Sequence, residues 1–387
     1  MKWMRRLFAF VIVWCAFTEA VQLFSRLFFH TWVAGDWFLI FLASDSSEMW
    51  DFVRTNPGPL ITGFAVFLLG IIVAVVTLRL SRRGWWVAVG CFCLYALLGI
   101  CWLGRAWTPA YLAYDTVRSA RDYGSLVGIG KWTDEDEKVS VEAAKDPQTK
   151  ELPTVVLVIG ERLTTARMGI YGYEKDTTPK LAELATNGLD ILPPRRATAS
   201  YTARALQNLL IRDGQSFVKV LRRRGYKPVL ISGQHHWERY CGVEQMVFSP
   251  CVKKRYLRDE IFSPDVYDWN LVRWAEDELA EADGPLLLIV HLMGSHYPYE
   301  DRYPSYWAEG EGLDAYDRSV RLTDTVLADL IALVPQNGVL IFTSDHGESP
   351  SSSRWRNAED PDLWSVPMMV YPKNAPIQEV MCLLGVL

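Results

Sequence analysis

The chain has 387 residues, half of them hydrophobic and 22% charged, with 40 Lys and Arg against 45 Asp and Glu and a formal net charge of −5. A slightly acidic balance with scattered basic residues argues against a nucleic-acid partner. The length suits one large catalytic domain plus a membrane region, and the apolar residues are concentrated before position 105.

Three apolar segments come first. Residues 59–78 and 84–104 carry no charge and no polar stripe, and each is long enough to cross a hydrocarbon core about 30 Å thick. They predict spans over 59–79 and 84–104. A first span is expected over 7–25, interrupted by Glu19; behind Lys2, Arg5 and Arg6 the same run also reads as a cleaved signal peptide. These basic residues, with Arg79, Arg82 and Arg83, mark the cytoplasmic side. The loop 26–58, which holds Asp36, Asp45, Glu48 and Asp51, then lies outside, and so does everything after the third span. Residues 36–43 are too short to span and suit the membrane interface. Cys15, Cys91, Cys93 and Cys101 lie in apolar runs and read as small hydrophobes. Cys241 and Cys251 either pair in an exported domain or are two separate buried thiols. No CxxC zinc spacing occurs.

Residues 1–105 are therefore expected to form a transmembrane region and 106–152 a linker. The linker starts with Trp107, Tyr111 and Tyr114 and ends in a charged, solvated stretch. The remainder, 153–387, alternates. Apolar runs at 155–160, 228–232, 285–292, 338–344 and 367–371 predict strands, continuous rather than alternating because both sheet faces are covered. Helical patterns at 178–188, 202–210, 266–282 and 314–334 lie between them. The expected fold is α/β with a largely parallel sheet.

In such sheets functional groups gather beyond the strand C-termini. The run at 155–160 ends in Glu161. The run at 285–292 includes His291 and continues to His296. The run at 338–344 ends in Asp345, His346, Gly347 and Glu348. Carboxylates and imidazoles without thiolates suit a catalytic Zn²⁺ or Mn²⁺ site. Gly347 lets the backbone turn tightly beside two adjacent ligands. Taken singly, Glu161 also reads as a helix cap, Thr202 as an N-cap, and His291 and His296 as loop residues satisfied by backbone.

In order along the chain stand VVLVIGE (155–161), YGYEKDTTPKL (171–181), SYTARALQNLL (200–210), HLMGSHYPYEDRYP (291–304) and FTSDHGE (342–348). Together they resemble the bacterial phosphoethanolamine transferases of the alkaline-phosphatase and sulfatase superfamily. The match covers about 153–372, and residues 47–59 resemble that family's extracytoplasmic loop. The resemblance implies an alkaline-phosphatase-like sandwich in the periplasm on a multi-pass inner-membrane anchor. It implies Glu161, Thr202, Asp345 and His346 as ligands of one zinc, with Thr202 also the nucleophile. His296 would bind the phosphoryl group or a second metal, with His291 nearby. The implied reaction transfers phosphoethanolamine from phosphatidylethanolamine to lipopolysaccharide, on lipid A or core, or to another envelope acceptor, through a phosphothreonine, by a monomer.

Three departures stand out. The family has Ser or Thr directly after the glutamate and Arg three residues after it; here these positions are Arg162 and Thr164, with Arg167 further on. A histidine downstream of the DHGE motif is missing. The family also has five spans and a longer chain. Other readings are a glycerol-phosphate transferase, a sulfatase-like hydrolase, which would need Cys or Ser at position 202, or a degenerate domain that binds without turnover.

Overall fold

The computed structural model describes residues 2–29, 57–103, 113, 114, 116–118, 121, 131–212, 214–234, 247–261, 266–308, 312–350 and 360–375. The expected interfacial segment 36–43, Trp107, Tyr111, and Cys241 with its pairing to Cys251 lie outside these residues. The chain divides into two compact units, Met1–Ser125 and Leu126–Leu387.

The first unit contains α1 (Lys2–Phe29), α2 (Pro57–Arg79) and α3 (Arg82–Leu103), helices that overlap the three apolar segments. Among the described residues, two helices are long and apolar enough to cross a membrane, over Lys2–Leu27 and Pro57–Arg79. Arg5 donates to the Leu78 carbonyl at 3.4 Å, so the basic start of α1 and Arg79 lie at the same end. Ala9, Ile12, Ala16 and Ala20 on α1 are buried, as are Gly63, Gly70, Ala74 and Thr77 on α2. Small residues let apolar helices approach without a hydrophobic drive between them. The approach is closest at Gly70, where an added Cβ would lie 2.0 Å from the Ala16 Cβ. Glu19, which interrupts the first apolar run, accepts a hydrogen bond from the Tyr95 hydroxyl on α3 at 2.8 Å.

The second unit is built on a seven-stranded sheet of β1 (Val155–Gly160), β2 (Asp190–Ile191), β3 (Lys227–Ser232), β4 (Lys253–Tyr256), β5 (Leu286–His291), β6 (Val339–Ser344) and β7 (Met368–Tyr371). The strand order is β2-β7-β6-β1-β5-β3-β4. The run β6-β1-β5-β3-β4 is parallel, and β7 and β2 add antiparallel pairings at one edge. Every residue of β1, β5 and β6 is buried, which is why these strands read as unbroken apolar runs. Val156, Val158, Leu288, Val290, Leu340 and Phe342 share a core with helices α8 (Trp269–Ala280) and α9 (Ala315–Ala332). Other helices of this unit include α4 (Asp134–Lys145), α5 (Pro179–Thr186), α6 (Thr202–Leu210) and α7 (Phe217–Arg223).

Elements not expected from the sequence include α7 and β2, and two other stretches are informative. The charged end of the expected linker is largely exposed, as expected, but it forms the helix α4. Thr133 and Asp136 form a capping box at its start, and the buried Asp136 pairs with Lys219 of α7 at 2.7 Å. The unexpected strand β4 has the sequence KKRY; charged side chains suit a sheet edge, and they hide its strand character.

The start of α9 holds the segment that comes after β1. Asp314 caps α9 by accepting from the Asp317 N–H at 2.9 Å. The fully buried Asp317 accepts from Arg167 at 2.8 Å, Lys175 at 2.9 Å and the Tyr173 hydroxyl at 3.2 Å. Arg167 also reaches Asp314 at 2.7 Å. Removing one partner of a buried ion cluster costs about 3–5 kcal/mol. Lys175 keeps a third of its side chain exposed and Arg167 retains Asp314, so Asp317→Ala is expected near the lower end, about 3 kcal/mol. Denaturant unfolding of the detergent-solubilised chain measures this, and an unchanged midpoint would refute the assignment.

Candidate active site

Neighbouring parallel strands end level, and that builds the site. Gly160 of β1 pairs with Ser344 of β6, and Ile159 with His291 of β5. Glu161 therefore emerges beside Asp345 and His346, all three fully or almost fully buried. One ligand-type atom from each of these residues lies within 4.8 Å of the other two. Thr202 is the first residue of α6; its N-cap is Tyr201, so the threonine hydroxyl is not spent on capping. It donates toward Glu161, with Oγ1 at 3.1 Å from Oε1 and 3.0 Å from Oε2. Gly347 is required by crowding: an added Cβ would lie 2.2 Å from the Asp362 carbonyl oxygen.

The electrostatics call for a cation. Burial, and then the Asp345 carboxylate, push Glu161 up to about 7. Burial raises Asp345 as well, although it accepts N–H bonds from His346 at 2.6 Å and Arg162 at 3.1 Å. Its Oδ2 is buried and accepts no hydrogen bond among the described residues. His346 Nδ1 faces the Gly347 carbonyl at 2.8 Å, so that nitrogen carries the proton. This turns Nε2 toward Asp345 Oδ2 at 3.3 Å and Glu161 Oε1 at 3.7 Å. An imidazole lone pair facing two carboxylate oxygens is stable only around a proton or a metal ion. Two carboxylates, one imidazole and one hydroxyl suit Zn²⁺ in its four-coordinate catalytic form.

The other two histidines singled out in the sequence are His291 and His296. His291 is buried behind Glu161, with Nε2 4.0 Å from Oε2; burial holds its pKa down at about 3, so it is neutral. Gln234, two residues past β3, links them: its Nε2 is 3.0 Å from Glu161 Oε2 and 3.2 Å from His291 Nε2. Gln234 belongs to no motif in the sequence, and its position beyond the run at 228–232 is the one local signal of its role. His296 meets the Arg162 guanidinium at 3.0 Å. The other departures lie behind the site: the buried Thr164 caps a short turn at Thr165–Arg167 and Arg167 joins the Asp317 cluster.

The model of the sulfatase family matches residues 153–379, more than half of the chain. The chain belongs to the sulfatase family. It is 28% identical over 267 residues to phosphoethanolamine transferase EptC of Escherichia coli K12, covering 59% of this chain and 46% of that protein. It is 26% identical over 298 residues to the Kdo(2)-lipid A phosphoethanolamine 7''-transferase of the same strain, covering 64% and 51%. The chain thus spans about half the length of these curated relatives. Among solved structures, the C-terminal periplasmic domain of E. coli EptC in complex with zinc matches with a TM-score of 0.53 at 26% identity, over 62% of this chain and 77% of that one. The integral membrane protein EptA of Neisseria meningitidis shares the fold, with a TM-score of 0.65 at 17% identity over 98% of this chain and 80% of that one. The superfamily implied by the motifs is the one found.

A metal at this site would be held by Glu161, Asp345 and His346, with Thr202 beside them. His346→Ala is expected to abolish tight zinc binding. Gln234→Ala removes a donor to a ligand carboxylate and is expected to weaken zinc affinity by about 10–100-fold. Titration against a competing chelator measures both, and parent-like affinity in His346→Ala would rule the centre out.

Proposed function

We propose that the chain is a phosphotransferase that moves phosphoethanolamine from phosphatidylethanolamine to a lipopolysaccharide phosphate or sugar, or to another envelope acceptor. The observation that carries this reading is the Thr202 hydroxyl, placed at a helix start and held against Glu161 inside a cluster of metal-ligand type. The relatives named phosphoethanolamine transferases support the chemistry, and the zinc complex of the E. coli EptC domain supports the metal.

Zinc bound by Glu161, Asp345 and His346 would supply Lewis acidity and favour the threonine alkoxide. The chain's own residues do the rest. Glu161 orients the Thr202 oxygen, and the first N–H groups of α6 face the incoming phosphoryl oxygens. The Thr202 Oγ1–phosphorus bond forms as the bond from phosphorus to the diacylglycerol oxygen breaks. The threonine proton is released, and the departing diacylglycerol takes up a proton. An acceptor oxygen then displaces threonine from phosphorus, and Oγ1 regains its proton. His296, the other candidate for the phosphoryl group, has its ring nitrogens at the Tyr297 carbonyl and the Arg162 guanidinium.

The two apolar helices support a membrane anchor. In this reading the anchor is multi-pass in a bacterial inner membrane, with residues 153–387 as the periplasmic catalytic domain and 106–152 as its connection. Donor and acceptor are then both lipids, and tethering holds the site at their surface. Thr at position 202 disfavours a sulfatase that needs Cys or Ser there.

After incubation with phosphatidylethanolamine, mass spectrometry is expected to find a phosphoethanolamine ester on Thr202, with release of diacylglycerol. Thr202→Ala is expected to abolish the adduct and the release while keeping zinc and fold. Diacylglycerol release by Thr202→Ala at the parent rate would sink the mechanism.

A further inference from the structure

Arg162 stands where its neighbours call for a second cation. Its side chain is 5% exposed. Its Nε lies 3.5 Å from Glu161 Oε1, one terminal nitrogen 3.4 Å from Glu348 Oε2, and the other 3.0 Å from His296 Nε2. A guanidinium only donates, so His296 Nε2 accepts. His296 Nδ1 faces the Tyr297 carbonyl at 2.7 Å and so carries the proton. The two contacts agree on one neutral tautomer. The lone pair by which this imidazole would ligate a metal therefore points at the guanidinium.

The main chain fixes that arrangement. Arg162 adopts φ +55°. Its N–H donates to Asp345 at 3.1 Å, and its carbonyl accepts from the Tyr316 hydroxyl at 2.7 Å. Charge points the same way. Glu161, Asp345 and Glu348 supply three negative charges, all buried. In the site free of substrate, one divalent ion and one guanidinium balance them.

We infer that the site holds one metal ion, and that Arg162 takes the place of a second and binds a phosphoryl oxygen of the substrate. Its fork of N–H donors suits phosphate. The half-buried Thr202 and His296 mark the side from which the ester enters. The phosphoryl part rests on the proposed function; the metal count does not.

The test combines metal analysis with calorimetric titration of inorganic phosphate on the full-length protein in detergent. The parent is expected to hold one zinc per chain when zinc is in excess, and His296→Ala to keep it. Arg162→Ala is expected to gain a second zinc, and Arg162→Lys to stay at one. At one zinc per chain, Arg162→Ala is expected to bind phosphate at least about tenfold more weakly than the parent. Two ions in the parent, loss of the single ion in His296→Ala, or parent-like phosphate affinity in Arg162→Ala each overturn the inference. Should Arg162→Ala not fold, the parent, His296→Ala and Arg162→Lys still decide it, the last by binding phosphate more tightly than an Arg162→Gln variant. If these results come out as expected while no adduct forms on Thr202, the proposed function fails and the one-metal subsite stands. An adduct formed by Arg162→Ala at the parent rate, with parent-like phosphate affinity, gives the reverse.

Discussion

Two buried carboxylates at neighbouring strand ends are the constraint around which this site is organised. The pairing of Gly160 with Ser344 leaves Glu161 and Asp345 no choice but to emerge side by side. Both are almost completely excluded from water, where ionised groups are costly unless paired. The polar groups around them answer that cost. The Thr202 hydroxyl, the Gln234 amide, and the backbone N–H groups of Arg162 and His346 all donate into this pair. These donors do not remove the strain, since Glu161 is still pushed up to about 7. They leave a demand for positive charge beside His346 Nε2, which a divalent ion would meet.

The fold works backward from that demand. The turn that carries Glu161 and Arg162 is held by Tyr316, which donates to the Arg162 carbonyl and accepts from the Thr164 N–H. One residue on, Asp317 gathers Arg167, Tyr173 and Lys175. The first turn of α9 thus sets the path of the chain directly after β1. Sheet register brings the carboxylates together, and α9 fixes the chain that comes between them.

Much of this was legible in the sequence because burial on both sheet faces leaves an unmistakable mark. VVLVIG and VLIFTS are continuous apolar runs, and each gives way abruptly to polar residues. That change marks Glu161, Asp345 and His346 as candidates, and the resemblance to a family groups them. Thr202 carries no such mark: a threonine at a helix start also reads as a cap, and only the structure makes Tyr201 the cap and turns the hydroxyl to Glu161. The helix α4 was hidden by its charges, although its capping box was written in Thr133 and Asp136. Its one buried residue, Asp136, pairs with Lys219, distant in the sequence, a contact that no local pattern encodes. Gln234 has the same difficulty, since a lone glutamine after a strand carries no periodicity.

Arg162 was visible only as a departure from a family pattern, and its backbone gives the departure a physical meaning. A left-handed conformation costs a residue with a Cβ roughly 1–2 kcal/mol, and glycine or asparagine would occupy it at less cost. Neither would lose the hydrogen bonds to Asp345 and Tyr316, because the main chain makes both. Arginine adds nothing to those contacts; its contribution is a guanidinium among Glu161, Glu348 and His296. Backbone strain kept for a side chain of this kind points to a requirement of the site rather than of the fold. The same three neighbours explain why the charge is supplied by the chain: a tethered cation stays in place whatever the supply of metal, and it presents its donors in a fixed plane to the group it meets.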